Sequence, residues 1–353
     1  MIKIELTKEE RDDIAKKHLD WFKHKFNNKQ HVYFHRHVIT RQLGLKISDL
    51  DTIVIGRFDN PEFVKINNNI KFLIDKVKQK KYYAEWEKRI TNIFDYGSFR
   101  DNAGPWNSYA LFLKLGVNVC VYCNRQYVFT VFENKDENEQ IVGRITAPEL
   151  DHFYPQAEYP HLSCSLYNFI PSCHICNHVK NNSTEKILYP YEDDFGKYFP
   201  FCVKYSNTSA ESKNLIDVEN ASIFFKTLSC KSTPLNRPIC KKCQMVDASI
   251  RTFHLEQIYN KHKIDLEDLF NRYRNYCKPK IDEITKLVLQ AQLGDDCNDK
   301  TISTIAKTYS QRMKNMILGI PLGAKDKEYP LRKFKEDIIE QLDKTYKNMK
   351  KQI

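Results

Sequence analysis

Two C-x-x-C pairs set far apart, Cys120/Cys123 and Cys173/Cys176, constrain this chain more than any other feature. Each pair suits two corners of a tetrahedral thiolate zinc site. A metal joining them would pin both ends of the segment between. That segment carries Glu149-Leu150-Asp151-His152-Phe153-Tyr154-Pro155, in which a carboxylate stands beside an imidazole. The fold must therefore bring residues 120 and 173 together around an Asp-His pair.

The remaining composition makes the metal a local device. A chain of 353 residues can bury a large core without a staple for the whole molecule. Eleven cysteines, an odd number, with no apolar N-terminal core of signal-peptide length, favour reduced thiols and metal ligation over a disulfide framework. No stretch approaches the roughly 18 apolar residues of a membrane span, so a cytoplasmic protein without membrane contact is expected. The formal charge of +11 suits a polyanionic partner, because basic groups that neutralise phosphates release condensed counterions. Charge alone is a weak pointer to nucleic acid.

Periodicity divides the chain into an N-terminal helical region over 1–116, a mixed core over 117–200 and a mainly helical region over 201–353. The expected class is α+β, mainly α. In the first region Ile14, His18, Trp21, Phe22 and Phe26 recur at helical spacing. So do Phe63, Ile66, Ile70, Leu73, Ile74 and Val77, behind Asn60 as a cap and Pro61 in the first turn. Further helices are predicted around Trp86, Ile90, Ile93 and Phe94, and from Pro105 to Gly116 with Trp106, Tyr109, Ala110 and Leu113 on the packed side. A hairpin is predicted from Tyr127–Phe132 and Ile141–Ile145 around a solvated Glu133–Gln140 loop. Residues Phe199–Leu228 read as irregular or weakly β. Beyond them, helical faces run through Ile264, Leu269, Phe270, Tyr273 and Tyr276, through Ile281 to Ala291, and through Leu331, Phe334, Ile338 and Leu342.

Cleaving a phosphodiester with one metal requires a base to activate water and a divalent cation to neutralise phosphate charge. Asp151 and His152 are residues of those types, at a strand end that Pro155 would turn. If Cys173–Asn182 is helical, Asn177 and Asn181 project from one face. Oxygen donors suit Mg2+ or Mn2+ and thiolates suit zinc, so two distinct metal sites are expected.

Taken together, Cys120-Val-Tyr-Cys123, Leu150-Asp151-His152-Phe153-Tyr154-Pro155 and Leu166-Tyr-Asn168-Phe-Ile-Pro-Ser-Cys173-His-Ile-Cys176-Asn177 resemble the HNH endonuclease family, in its four-cysteine zinc subgroup. The resemblance implies a ββα-metal fold for this centre, a two-stranded hairpin with the base on its first strand, packed on one helix. It implies His152 as general base, Asp151 and Asn177 as ligands of the catalytic Mg2+ or Mn2+, and Asn181 as a variably used further ligand. It makes Asn168 the residue that orients the loop and the base, and the four cysteines the structural zinc site. Phe253-His-Leu-Glu-Gln-Ile-Tyr-Asn-Lys-His262 and Pro330-Leu-Arg-Lys-Phe-Lys-Glu-Asp-Ile338 resemble larger HNH proteins encoded beside ATPases in anti-phage systems such as Septu. An ATPase partner is thereby implied.

The leading expectation is a metal-dependent HNH endonuclease acting on DNA. The alternatives are an RNA (tRNA) nuclease on the same site and a non-catalytic zinc-stabilised nucleic-acid-binding adaptor. Simpler roles compete at several positions. His178 is rotated about 100 degrees from Asn177 on a helix and reads as a surface residue, while His161 and His174 have weaker claims. Arg125, Lys180 and Lys186 suit flanking phosphates or plain solvation. Tyr122, Phe153 and Tyr154 read as packing. His31, His35 and His37 read as a polar face. Cys240-Lys-Lys-Cys243 is a third C-x-x-C with no obvious second pair, with Cys202, Cys230, His254, His262 and Cys277 as possible completions, and reads more simply as two ordinary thiols.

Overall fold

A computed structural model gives the fold. It describes residues 1–27, 31–138, 140–196, 199–204, 218–226, 240–275 and 327–350, with Glu283, Leu287, Val288, Asn315 and Gly319 as isolated positions. The predicted helical face from Ile281 to Ala291, together with Tyr276, Cys230 and Cys277, lies almost wholly outside them. The chain forms two compact units, Met1–Asp194 and Phe195–Ile353. About half of the described residues are helical, and among them the strands form three small antiparallel pairs.

In the first unit the helices are α1 (Lys8–Phe26), α2 (Val32–His37), α3 (Asp49–Ile55), α4 (Pro61–Val77), α5 (Tyr83–Ile93), α6 (Tyr96–Arg100) and α7 (Ser108–Leu115), with a π-helical turn over Val38–Gln42 after α2. Their starts follow from side-chain chemistry. Thr7 and Glu10 form a reciprocal capping box at α1. Asn60 accepts from the amide of Glu62 at 2.8 Å and Pro61 opens α4, as the sequence predicts. The predicted faces of α1, α4 and α5 are largely the buried ones: Phe22, Phe26, Phe63, Ile66, Ile70, Ile74, Trp86, Ile90 and Ile93 share one core. That core also contains Leu162 and Cys164, which belong to the segment between the candidate catalytic strands.

The helix before Gly116 departs from expectation. It starts at Ser108 with Asn107 as cap, and it buries Ser108, Leu111, Phe112 and Leu115 rather than Tyr109, Ala110 and Leu113. Gly116 ends it with φ 58°, the left-handed conformation glycine adopts without penalty.

The first hairpin pairs β1 (Val131–Lys135) with β2 (Ile141–Thr146), Lys135 opposite Ile141. It is shifted from the predicted Tyr127–Phe132, and the turn is correspondingly shorter. The Asp136 carboxylate accepts from the amides of Asn138 and Gln140, both at 2.8 Å. Tyr127 instead bridges Val119.

Next comes the element order that carries the candidate site: β3 (Glu149–His152), β4 (Phe169–Ser172) and α8 (His174–Lys180). The two strands pair antiparallel, with Asp151 opposite Ile170 and His152 opposite Phe169. Helix α8 packs on β3.

The second unit contains β5 (Phe201–Lys204) paired with β6 (Ser222–Phe225), and α9 (Lys241–Thr252), α10 (Leu255–Tyr259), α11 (Lys263–Asn275) and α12 (Arg332–Lys350). Phe201, Phe225, Tyr259 and Phe334 form an aromatic cluster with centroids 4.2 to 5.5 Å apart. Leu269, Phe270, Phe334 and Ile338 are buried as the helical period predicts, whereas Ile264 is 83% exposed.

Candidate metal centre and active site

The two C-x-x-C pairs meet. The Sγ atoms of Cys120, Cys123, Cys173 and Cys176 all lie within 4.8 Å of one another, and all four residues are buried. Four sulfurs at the zinc–thiolate bond length stand about 3.8 Å apart on a tetrahedron, and Cys123 and Cys173 are at 4.0 Å. Small adjustments would thus complete a zinc site. Local backbone builds each half. Asn124 takes φ 51°, its amide donating to the Cys120 carbonyl at 2.8 Å, while the Cys120 amide donates to the Gln126 carbonyl at 2.9 Å. This is a tight knuckle with a polar residue where a left-handed conformation is required. Cys173 caps α8, its sulfur accepting from the Cys176 amide at 3.5 Å.

The electrostatics suit a cation. Burial pushes the Cys120 thiol well above its ordinary value, while hydrogen bonds from Cys120, Cys123 and Cys176 hold Cys173 well below. A buried thiolate shared among four sulfurs is stabilised by a dication and by little else in an apolar setting.

Strand β3 ends beside this cluster. The Asp151 side chain is 4% exposed. Its Oδ2 accepts from the Tyr122 hydroxyl at 2.6 Å, and its Oδ1 from Lys180 Nζ at 3.2 Å. The same ammonium donates to the His152 carbonyl at 2.6 Å. Lys180 is itself buried, its side chain 1% exposed, so it is no surface phosphate contact; it ties the end of α8 to the end of β3.

The His152 imidazole is half-buried. Its Nε2 lies 3.0 Å from the Ser163 carbonyl, and a carbonyl can only accept, so Nε2 carries the proton and Nδ1 is the basic nitrogen. Tyr96 and Phe169 wall the ring edge-on at 4.8 and 5.5 Å between centroids. Burial lowers its pKa below 6.5, and the Lys180 charge adds to that against the pull of Ser163 and Asp151.

Asn168 is fully buried and holds the loop between. Its Oδ1 accepts from the Tyr154 amide at 2.7 Å, and its Nδ2 donates to the carbonyls of Tyr154 at 3.1 Å and Leu162 at 3.0 Å. The turn that supplies Ser163 is fastened from the helical side. His18 Nε2 donates to the Cys164 carbonyl at 2.8 Å, and His161 Nε2 to Asn67 Oδ1 at 2.9 Å.

The remaining predicted residues fall as follows. Asn177 is half-buried on α8, three residues before Lys180 and so on the same side of the helix as that residue. Asn181 does not continue the helix: it takes φ 43°, ψ −130°, and is exposed. His178 is exposed, as expected, and His174 faces Glu149 at 3.4 Å. His35 is buried against the Phe26 carbonyl rather than part of a polar face. A cleft of about 490 Å³ lined by Arg11, Arg57, Tyr167, Tyr191 and Glu192 among others includes neither Asp151 nor His152.

Sequence reasoning missed three groups. Tyr122 sits in the middle of the first C-x-x-C and reads as packing, yet its hydroxyl holds Asp151. Lys180 had a legible signal, four residues after Cys176 and so on its face. The Ser163 carbonyl had none.

No family model matches the chain, and no solved structure matches it. Similarity to a curated protein covers part of it: a Septu protein PtuB of Bacillus thuringiensis is 30% identical over 120 residues, which make up 32% of this chain and 40% of that protein. The chain thus matches well under half the length of this relative, and its similarity to a Septu protein extends over a third of its own residues.

Proposed function

We propose that the chain is an HNH endonuclease that hydrolyses phosphodiester bonds, DNA first among its substrates, and serves an anti-phage system. The observation that carries the reading is His152 at the end of β3, with its Nε2 proton committed to the Ser163 carbonyl and its Nδ1 left as the base. Asp151 beside it, the strand, strand and helix order of β3, β4 and α8, and the Asn168 clamp support the ββα-metal assignment. The partial similarity to a Septu protein supports the defence role.

In this reading Nδ1 takes the proton of the attacking water. A pKa held below 6.5 keeps the ring unprotonated at neutral pH, as a base must be. Asn168 and the Ser163 carbonyl fix the ring's height and tautomer, and the zinc site anchors α8 behind it. The oxygen donors Asp151 and Asn177, with Asn181 as a variable third, are the type Mg2+ or Mn2+ takes. When bound, that cation would neutralise charge on phosphate. As arranged, however, the Lys180 ammonium holds the carboxylate that the cation would need, so binding requires Lys180 to yield. Cutting should depend on added Mg2+ or Mn2+; undiminished cutting in EDTA would remove that cofactor from the reading.

His152→Ala should lower cleavage at least 100-fold, since a positioned base contributes about 10²–10⁴, with zinc content and circular dichroism unchanged. Cleavage by His152→Ala at the wild-type rate would overturn the assignment. A panel of duplex DNA, single strands and tRNA separates a DNA from an RNA nuclease, and binding without cutting across divalent metals would favour the adaptor. An ATPase partner, the other element of the Septu-type reading, is tested by co-purification from the native host.

A further inference from the structure

The cleft of about 490 Å³ in the first unit gathers groups that the proposed cleavage chemistry does not use. Part of its wall is aromatic. Tyr189 donates its hydroxyl to the Tyr167 carbonyl at 2.7 Å, and Tyr191 donates its own to the Phe169 carbonyl at 3.0 Å. With its hydroxyl committed to the backbone, the half-buried Tyr191 has ring surface to offer the cleft. Tyr167 differs. Only 6% of it is exposed, yet its hydroxyl has no hydrogen-bond partner among the described residues. Burial raises its pKa, against the pull of Arg57 and Arg11, so the hydroxyl is a protonated donor in the field of two guanidinium groups. A nearly buried residue lining a cleft with an unmatched hydroxyl invites an acceptor from outside the chain.

The cations divide in the same way. Arg57 is held in place, its Nε and Nη2 donating to the Asp59 carboxylate at 3.1 and 3.2 Å, with Glu192 at 3.6 Å from Nη2. Those two acids are thereby engaged, and Glu5, the third on the wall, has a partner of its own. Arg11 and Lys3 line the same cleft, and their side chains have no ion-pair or hydrogen-bond partner among the described residues.

An open guanidinium, an open ammonium and a phenol donor suit one phosphate, and a tyrosine ring suits a base, which stacks on aromatic faces. The volume falls within the range of about 300–1,000 Å³ typical of small-molecule sites. We propose that this cleft binds a single nucleotide unit, its phosphate on Arg11, Lys3 and the Tyr167 hydroxyl and its base against the Tyr191 ring. A free nucleotide and one nucleotide of a single strand offer that same chemistry. Binding there needs neither His152 nor either metal, so it stands or falls apart from the nuclease reading.

The test is calorimetric titration of the full chain, without added divalent metal, with the ribonucleoside 5′-monophosphates, inorganic phosphate and a short single-stranded DNA. A monophosphate should bind at least about tenfold tighter than inorganic phosphate, which would make a free nucleotide the occupant; such binding by the strand alone would make it a strand. Tyr167→Phe and Arg11→Gln remove groups without an internal partner, so the fold should survive, as circular dichroism checks. Each should weaken the binding about tenfold or more, as loss of a hydrogen bond to a charged group does. No ligand binding tighter than inorganic phosphate, or wild-type affinity in either variant, overturns the site. Photocrosslinking of the wild type with an azido form of the tightest ligand needs no variant: attachment at Tyr167, Tyr189 or Tyr191 supports the cleft, and attachment only elsewhere overturns it.

Discussion

At Lys180 a charge that the sequence presents as solvated proves to be buried, and this changes how the candidate site should be tested. The ammonium compensates the Asp151 carboxylate in a setting where neither is appreciably exposed. Removing one member of such a pair leaves an uncompensated buried charge. Lys180→Met should therefore cost about 3–5 kcal/mol, read by urea denaturation, and adding Asp151→Asn should recover much of that. A loss below about 1 kcal/mol would mean that the pair is effectively solvated. Asn168 makes a milder case. Asn168→Ala leaves the partly buried Tyr154 amide without its acceptor and the buried Leu162 carbonyl without its donor, so a loss of about 1–3 kcal/mol is expected. Its effect on cleavage should exceed that loss, because the Tyr154 loop sits directly after His152. That Asp151 and His152 stand together at a strand end, with Asn168 holding the loop after them, was legible from residue type and order. Helical spacing put Lys180 on the face of Cys176, but its meeting with Asp151 was not legible, because that depends on how α8 packs on β3.

At the scale of elements, ends were legible where a specific cap or stop residue marks them, and faces where the helix is amphipathic. Asn60-Pro61 and Gly116 mark their helix boundaries by local chemistry that needs no tertiary partner. Helix α7 shows the opposite: Ser-Tyr-Ala-Leu-Phe-Leu-Lys-Leu is apolar nearly all round, so periodicity defines no unique stripe and packing selects Leu111, Phe112 and Leu115. Its cap is nonetheless local. Asn107 Oδ1 accepts from the Ala110 amide at 3.1 Å, so Asn107→Ala should lower stability by about 1 kcal/mol, with Asn107→Asp keeping most of it, as chemical denaturation would show. Two other differences have similar causes. The residues near Tyr127 close the turn that carries Cys120 and Cys123 instead of entering the hairpin, and Asn181, a residue type that tolerates positive φ, stops α8 where the pattern suggested continuation.

Across the first unit as a whole, the N-terminal helices do more than surround the site, because their core includes Leu162 and Cys164 on either side of the Ser163 carbonyl that orients His152. Two buried histidines fasten that turn. His18 is held neutral, burial pushing its pKa down to about 4, and its Nδ1 already accepts from the Trp106 indole at 3.2 Å. Burial pushes His161 down to about 3. A histidine whose folded pKa is depressed contributes stability that is present above its unfolded value near 6.5 and is lost as pH falls toward the folded value, because the unfolded chain binds more protons. Each should cost up to about 1.4 kcal/mol per pH unit below 6.5. Thermal melts at pH 7, 6 and 5, above the range where most carboxylates titrate, should show falling midpoints, while a flat profile would contradict neutral burial. By itself the sequence determined which four cysteines could meet, that Asp151 stands beside His152, and where Asn60-Pro61 and Gly116 bound their helices, because residue spacing, residue type and capping are local properties of the chain. Only the tertiary structure decided that Lys180 and Tyr122 hold Asp151, that Ser163 sets the His152 tautomer, and that the helical region builds the turn supplying it, because each depends on groups far apart in sequence meeting in a low-dielectric interior.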